Sequence, residues 1–504
     1  MKLRTLLEGL AVLEIVGGVN VDVGGVQGDS RRVRKGDVFV ALRGEKVDGH
    51  EFIGEAVGAG VSVVVCEEIV GTFPSLTQVR VADSRAALAR LASRFHDNPS
   101  EGIKVIGITG TNGKTTTSYL IASILETAGL PTGVIGTIAY RIGNRELPAP
   151  NTTPPADELQ GLLAQMVHAG MQALVMEVSS HALAQHRVDE VMWDGAVFTN
   201  LSQDHLDYHK TMESYFDAKK LLFRQLGCGS KKAMAILNLD DPRSEELQRV
   251  LQDGVRVVSF GRHPSADIRA EAVEQSVDGC HFILAAGGVQ TAISTPLCGA
   301  HNVSNCLAAA ATAMALGIDR SIIQKGIELV RNVPGRLERV EWPVGVGTFV
   351  VFVDYAHTDD ALRNVLNTLR PLTKGRLITV FGCGGNRDTT KRPLMGRVAG
   401  ELSDFSIVTT DNPRNEEPDE IVEQIVTGFG TRNNFSVVLD RREAIRTALA
   451  MAQDGDTVLL AGKGHERYQE ARGTRTPFDD QKVAGELLES LLVGTKPGGE
   501  AWRN

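Results

Sequence analysis

A chain of 504 residues has room for about three domains of roughly 150 residues each. Its 42% hydrophobic content is that of a soluble protein able to bury sizeable cores. A net charge of −9 excludes a general nucleic-acid binder, although it permits a local basic pocket. The six cysteines (Cys66, Cys228, Cys280, Cys298, Cys306, Cys383) show no C-x-x-C spacing, which excludes a disulfide scaffold and a thiolate zinc site. The start resembles no signal peptide and no apolar run reaches membrane-spanning length, so a cytoplasmic enzyme is expected.

Residues 1–100 read as a small α/β unit. Asp37–Leu42 and Val61–Cys66 have strand character, Glu51–Gly60 lies between them as a helix, and Asp83–Phe95 is a closing helix. The loop Gly28-Asp-Ser-Arg-Arg-Val33 is rich in donors. It reads either as an anion or nucleotide-diphosphate site or as a solvated turn.

Residues 101–333 alternate strands and helices, the pattern of a mostly parallel sheet covered on both faces. Its focus is Gly107-Ile-Thr-Gly-Thr-Asn-Gly-Lys-Thr-Thr-Thr117, set between the strand Ile103–Ile106 and a helical run from Ser118. Strand, glycine-rich turn and helix start together make an anion cradle, because unpaired N–H groups and the positive helix end converge there. The shorter Gly110-x-x-Gly-Lys-Thr115 spacing puts Lys114 on terminal phosphates and the Thr115 hydroxyl on Mg²⁺. Downstream, the strand Gln172–Val178 carries Glu177 at its end, where an open α/β sheet places ligand chemistry. The strand Gly195–Asn200 is followed by Asp204-His-Leu-Asp-Tyr-His209, whose two aspartates and two histidines point to metal or phosphate work. Met212–Leu226 reads as a helix carrying Lys219 and Lys220, and Gly299–Asn305 as the cap of an alanine-rich helix, Cys306–Leu316.

Residues 334–493 repeat the alternation, with strands at Phe349–Val353, Leu377–Phe381, Phe405–Thr409, Phe435–Leu439 and Thr457–Leu460: a second, Rossmann-like doubly wound sheet. Four polar loops follow these strands and are expected on one rim: Asp354-Tyr-Ala-His357, Gly382–Asp388, Asp411-Asn-Pro-Arg414 and Gly462-Lys-Gly-His-Glu466. Residues 494–504 read as a disordered tail. The expected fold is therefore α/β in three domains: 1–100, a P-loop-type 101–333, and 334–493.

Taken together, Asp29-Ser-Arg-Arg32, Gly110–Thr116, Asn151-Thr-Thr-Pro154, Asp204–His209, His301-Asn-x-x-Asn305, Asp411–Arg414 and Gly462–Glu466 resemble the Mur ligases, ATP-dependent amide-forming enzymes of peptidoglycan precursor synthesis. The likeness covers nearly the whole chain. Within the family, the tetrapeptide at 411 is similar to that of members adding diaminopimelate. The resemblance implies ATP and Mg²⁺ as cofactors, UDP-N-acetylmuramoyl-L-alanyl-D-glutamate and meso-diaminopimelate as substrates, and a monomer with no nucleic-acid or membrane partner. Residues 1–100 would bind the UDP-sugar, 101–333 ATP and 334–493 the amino acid.

Residue by residue, Gly110, Thr111, Asn112, Gly113, Lys114, Thr115 and Thr116 would bind the ATP phosphates. Asn302, Arg336 and Asp354 match positions contacting adenine, phosphate and ribose. Thr115, Glu177, His205 and a carbamylated Lys219 would hold metal, with Lys114, Glu177, His205 and Lys219 the catalytic set. Gly28, Ser30, Glu45, Lys46 and Val47 match uridine-diphosphate contacts. Asn151, Thr152, Thr153, Ser179, Gln185 and Arg187 match contacts to the muramoyl dipeptide. Arg387, Asp411, Asn412, Pro413, Arg414, Gly462 and Glu466 match the diaminopimelate pocket. Asn386 stands where the family more often has Asp, and Thr389-Thr390 fills a variable spot. A lysine-adding ligase, a folylpolyglutamate synthetase and a non-catalytic nucleotide sensor are the alternatives. The motifs do not mark the base that neutralises the attacking amine. Closure about a hinge at Asn332–Gly335 is also expected.

Overall fold

The computed structural model describes residues 1–44, 47–71, 73, 75–341 and 349–494. The chain separates into two compact units. The first comprises Met1–Glu271, Ile283–Thr291 and Ser304–Leu329; the second comprises Ala272–Phe282, Ala292–Val303 and the chain from Val330. The last boundary falls just before the expected hinge at 332–335.

The first unit begins with a five-stranded sheet in the order Val12–Val16, Thr77–Val81, Val63–Cys66, Asp37–Val40, Gly25–Gln27. The first pairing is antiparallel and the rest are parallel. The helix Ser84–Phe95 closes it, its start fixed by Asp83, whose side chain accepts from the N–H groups of Arg85 and Ala86.

Eight neighbouring strands of a larger, eleven-stranded sheet follow in the order Arg256–Gly261, Met234–Asn238, Gly195–Phe198, Lys104–Thr109, Ala173–Glu177, Thr132–Ile135, Ala139–Ile142, Arg145–Pro148. The first six of these are parallel and the last two form an antiparallel edge. Val105, Ile106 and Ile108 are all fully buried, as a parallel strand covered on both faces requires. The Lys104–Thr109 strand lies between Gly195–Phe198 and Ala173–Glu177, so the loop after it sits beside the ends of both.

The second unit is built on the sheet Glu338–Arg339, Val350–Asp354, Thr457–Ala461, Leu377–Phe381, Phe405–Val408, Phe435–Val437, parallel except for its first, two-residue strand. Apolar clusters cover both faces, one around Phe352, Phe381 and Met395, the other around Val351, Ile378 and Leu460. All four polar loops therefore leave the carboxyl ends of parallel strands, on one rim.

The expected strands fall within two residues of their observed ends, except that the strand expected at Ile103–Ile106 runs on to Thr109. The expected helix at Glu51–Gly60 resolves into a 3₁₀ turn, Gly49–Phe52, and a short helix, Ile53–Gly58. One expectation is corrected. The alanine-rich helix runs from Ala300 to Ala315, so His301–Asn305 form its first turns instead of a cap before it. Gly299, at φ +96°, supplies the break, and Asn302 and Asn305 enter the helix because their side chains are buried. The helix Asp480–Gly494 ends the described chain, and the tail expected from 494 lies from 495 onward outside the described residues. No helix among the described residues is long and apolar enough to cross a membrane.

Candidate active site

The phosphate loop is held from below by backbone and side-chain bonds. Gly110 is at φ +147° and Gly113 at φ +85°, a conformation L side chains rarely adopt. A Cβ on Gly113 would lie 2.4 Å from Asn305 Oδ1. Helix Lys114–Thr127 starts at Gly113, so its first N–H groups border the loop. Thr199 Oγ1 donates to Asn112 O (2.7 Å) and Asn112 N to Asn200 Oδ1 (3.0 Å). Lys114 Nζ donates to Gly110 O (2.9 Å) and Thr111 O (2.8 Å), which stations its charge over the loop.

Glu177 is 1% exposed, and its carboxylate accepts from Thr115 Oγ1 (3.0 Å), Thr137 N (2.8 Å) and Thr137 Oγ1 (3.1 Å). Lys219 reaches the loop from the helix Met212–Arg224: 1% exposed, it donates to Gly110 O (2.9 Å) and lies 4.3 Å over the Tyr215 ring. Burial, then the Lys114 charge, hold its pKa well below the ordinary lysine value. Lys220 instead pairs with Asp217 and Glu246 on the helix's outer face.

His205 sits at φ +53° beside Asp204 (3.5 Å), its ring edge-on to His181 (4.9 Å between centroids) and near Tyr215 (5.9 Å). His209 Nε2 is engaged by Ser180 Oγ at 2.9 Å, and burial with the neighbouring His181 pushes its pKa down to about 4. Among the described residues no three His, Cys, Asp or Glu side chains converge on one point as a metal cage.

Next to Glu177, the 151–153 segment and the 177–187 turn interlock. Thr153 Oγ1 donates to Glu177 O (2.8 Å) and accepts from Ser179 N (3.0 Å). Arg187 donates to Thr153 O (2.8 Å) and Gln185 Oε1 (2.7 Å). Asn151 O accepts from Tyr140 OH (2.6 Å), and the Thr152 and Thr137 hydroxyls are 3.1 Å apart. Gln185 also lines a cavity of about 490 Å³ with His181, Asp207, Tyr208 and Lys210. In the first sheet, Gly28 N donates to Asp157 Oδ2 (3.1 Å), and Ser30 opens a 3₁₀ turn capped by Asp29. Val47 is 54% exposed; Glu45 and Lys46 lie outside the described residues.

In the second unit, Asn412 Nδ2 donates to Glu466 Oε2 (2.7 Å). Arg414, at φ +53°, donates from Nη1 to Gly385 O (2.7 Å), and its backbone pairs with the hairpin Tyr468–Ala471/Thr474–Pro477. Gly462, at φ +110°, leaves space for Asp411, whose Oδ2 a Cβ there would approach to 2.9 Å. Pro413 is buried behind the turn and Arg387 is exposed. Burial pushes the Glu466 carboxyl up, against the pull of Lys463. Asp354 accepts from Leu337 N (2.7 Å) and Ala356 N (2.8 Å), Arg336 lies over the Tyr355 ring (5.4 Å), and Asn302 Nδ2 donates to Cys298 O (2.8 Å).

Sequence reasoning did not single out Thr137, Tyr215 or Lys463. Thr137 ends the Gly136-Thr137 step after a strand, a position that could have flagged it. Lys463 lies inside a motif whose flanking residues were chosen.

A glycine-rich loop at a helix start on one parallel sheet, and a cluster of charged and amide side chains on the rim of another, define the class: an α/β protein with the anion cradle of a nucleotide-using enzyme on one unit and a polar rim on the other. The Mur ligase family catalytic domain matches residues 22–96, the Mur ligase middle domain 108–313, and the Mur ligase glutamate ligase domain 335–464. A UDP-N-acetylmuramoyl-L-alanyl-D-glutamate–2,6-diaminopimelate ligase of Geobacter metallireducens is 45% identical over 97% of this chain and 99% of its own. A solved structure of a ligase with that name, 32% identical, superposes with a TM-score of 0.70 over 98% of this chain and 99% of its own. The MurF ligase of Thermotoga maritima in complex with ADP, 21% identical over 93% and 98%, shares the fold at a TM-score of 0.61. The chain belongs to the Mur ligase family.

Proposed function

We propose that the protein uses ATP to join meso-diaminopimelate to the D-glutamyl γ-carboxylate of UDP-N-acetylmuramoyl-L-alanyl-D-glutamate, in peptidoglycan precursor synthesis. Full-length similarity to ligases of that name carries the reading. A carboxylate at neutral pH is a poor acyl donor, so the γ-phosphoryl group of ATP passes to it, giving an acyl phosphate and ADP; the neutral amine of diaminopimelate then attacks the acyl carbon, phosphate leaves, and the new amide loses a proton.

Two anions must approach for the first step. Lys114 and the N–H groups at the helix start offset their repulsion. The residues present fit Mg²⁺: one buried carboxylate, Glu177, beside one hydroxyl, Thr115, is the sparse protein contribution that ion takes when phosphate oxygens and waters complete its octahedron. When bound, the ion supplies charge neutralisation at the transferring phosphoryl. His205 and Lys219 flank the loop. Burial favours the uncharged amine of Lys219, the form that adds to carbon dioxide as a carbamate, and an N–H remains on that nitrogen to donate to Gly110 O.

Asn151, Thr152, Thr153, Ser179, Gln185 and Arg187 form one interlocked wall and bind the muramoyl dipeptide; Gly28, Ser30 and Val47 serve the uridine diphosphate. On the second unit, Arg414 offers a fork that suits the second carboxylate of diaminopimelate, and Glu466 answers its ammonium group. Lysine lacks that carboxylate, which would leave the fork unpaired, a defect able to reject an analogue by about 10⁴-fold. The enzyme acts as a cytoplasmic monomer. The test is phosphate release by purified protein with ATP, Mg²⁺ and the UDP-muramoyl dipeptide, diaminopimelate and lysine being offered separately. Preference for lysine would replace the amino-acid assignment, and release without either would remove the ligase reading.

A further inference from the structure

Lys463 is fully buried, although it carries an ammonium group and stands in the loop after the Thr457–Ala461 strand. Taking such a group out of water costs several kcal/mol unless it is well partnered. Its Nζ donates to Asn412 Oδ1 (3.2 Å) and lies 3.6 Å from Glu466 Oε2. Asn412 Oδ1 accepts a second bond from Glu470 N (3.0 Å). An amide oxygen has two lone pairs, so both are taken and only one orientation of the amide remains. In that orientation Asn412 Nδ2 must donate, and its partner is Glu466 Oε2 at 2.7 Å. Remove the Lys463 donor and one bond no longer opposes the flipped amide, which would set its oxygen against the carboxylate of Glu466.

We infer that Lys463 is a positioning residue for amino-acid selection: by locking the Asn412 amide, whose Nδ2 donates to Glu466, it holds the Glu466 carboxylate as one fixed acceptor for the ammonium group of the incoming amino acid. The inference rests on the proposed pocket at Asp411–Arg414 and Glu466 and adds the residue that orders it. Lys463 itself meets no substrate, because none of its surface is exposed.

The experiment measures KM for all three substrates in Lys463→Met, Lys463→Gln, Asn412→Ala and the double variant Asn412→Ala/Lys463→Met, using whichever amino acid the wild type consumes. Loss of one charge-assisted bond predicts about a tenfold or greater rise in the amino-acid KM for Lys463→Met, with ATP and UDP-muramoyl-dipeptide KM within about twofold. Lys463→Gln, which keeps a donor, recovers part of that loss. In the Asn412→Ala background Lys463→Met adds less than about twofold, because the amide it orders is gone. Equal rises in all three KM values, an unchanged amino-acid KM, or additive effects in the double variant would overturn the inference. Should Lys463→Met fail to fold, Lys463→Gln with and without Asn412→Ala gives the same coupling. The wild-type choice between diaminopimelate and lysine tests the underlying reading separately.

Discussion

The phosphate loop and the rim pocket solve opposite problems with opposite materials. Around the loop, both lysines donate to main-chain oxygens: Lys114 to Gly110 and Thr111, Lys219 to Gly110. In the rim, side chains order side chains: Asn412 bonds Glu466, Lys463 approaches Glu466, and the fully buried Arg392 pairs with Glu416 at 2.8 Å. Backbone groups survive most substitutions, so a loop made from them suits a reagent common to many enzymes. A network of charges changes with each residue, which is what choosing among similar amino acids requires. On the proposed reading, recognition of the shared ligand falls largely to main-chain groups, and discrimination largely to side chains.

That contrast can be broken in four places. Lys114→Ala removes one of the two lysines bonded to the loop's carbonyls and should lower kcat by about 10³-fold or more, an effect on charge development and not on folding. Phosphate release reads the rate, and an unchanged thermal melt separates it from instability. Asp480→Ala attacks the rim through stability instead. It would strand Arg441, 0% exposed and bonded to Asp480 at 2.6 Å and 2.8 Å, costing about 3–5 kcal/mol in a denaturant titration.

Arg414→Ala should raise the KM for diaminopimelate by about 10²-fold and leave that for ATP within about twofold. Equal shifts in the two constants would deny the guanidinium its selective role. The smallest effect concerns His465, whose pKa is pushed down to about 4 by burial and by the charges of Arg336, His357 and Arg467. The unfolded chain takes up that proton near pH 6.5, the folded one only near 4. Its contribution is therefore intact above pH 6.5 and lost as pH falls through that window. Between pH 7 and 4, wild type should lose more stability than His465→Gln.

The loop was legible because every determinant lies within one stretch: strand, glycines, lysine, threonines and helix are consecutive. Many of the parallel strands were legible for a related reason, since burial on both faces leaves unbroken apolar runs such as Leu377–Phe381, although Thr132–Ile135 and Met234–Asn238, buried as fully, were not singled out. Val12–Val16 was missed because it is an edge strand whose side chains are mostly exposed. The hairpin Tyr468–Ala471/Thr474–Pro477 carries no buried side chain, so no hydrophobic alternation announced it. The start of the Ala300 helix was misplaced because its polar first turns read as a cap, and only tertiary burial of Asn302 and Asn305 explains them. Thr137 escaped notice because it meets Glu177 across 40 residues, a proximity that strand order creates. The rim loops could be assigned to one edge from sequence, but not their mutual bonding.

The tightest approach in the rim reaches beyond this one enzyme. A Cβ on Gly385 would stand 1.9 Å from Pro413 O, while Gly385 N donates to Asn412 O and Asn415 N to Asn386 Oδ1. The 384–387 and 411–415 segments are therefore laminated, and neither can be exchanged alone. Grafting Asp411–Arg414 into a relative with any side chain opposite Pro413 would produce a collision before it produced a new preference. In this chain, then, a new amino-acid preference would have to be engineered into both segments at once.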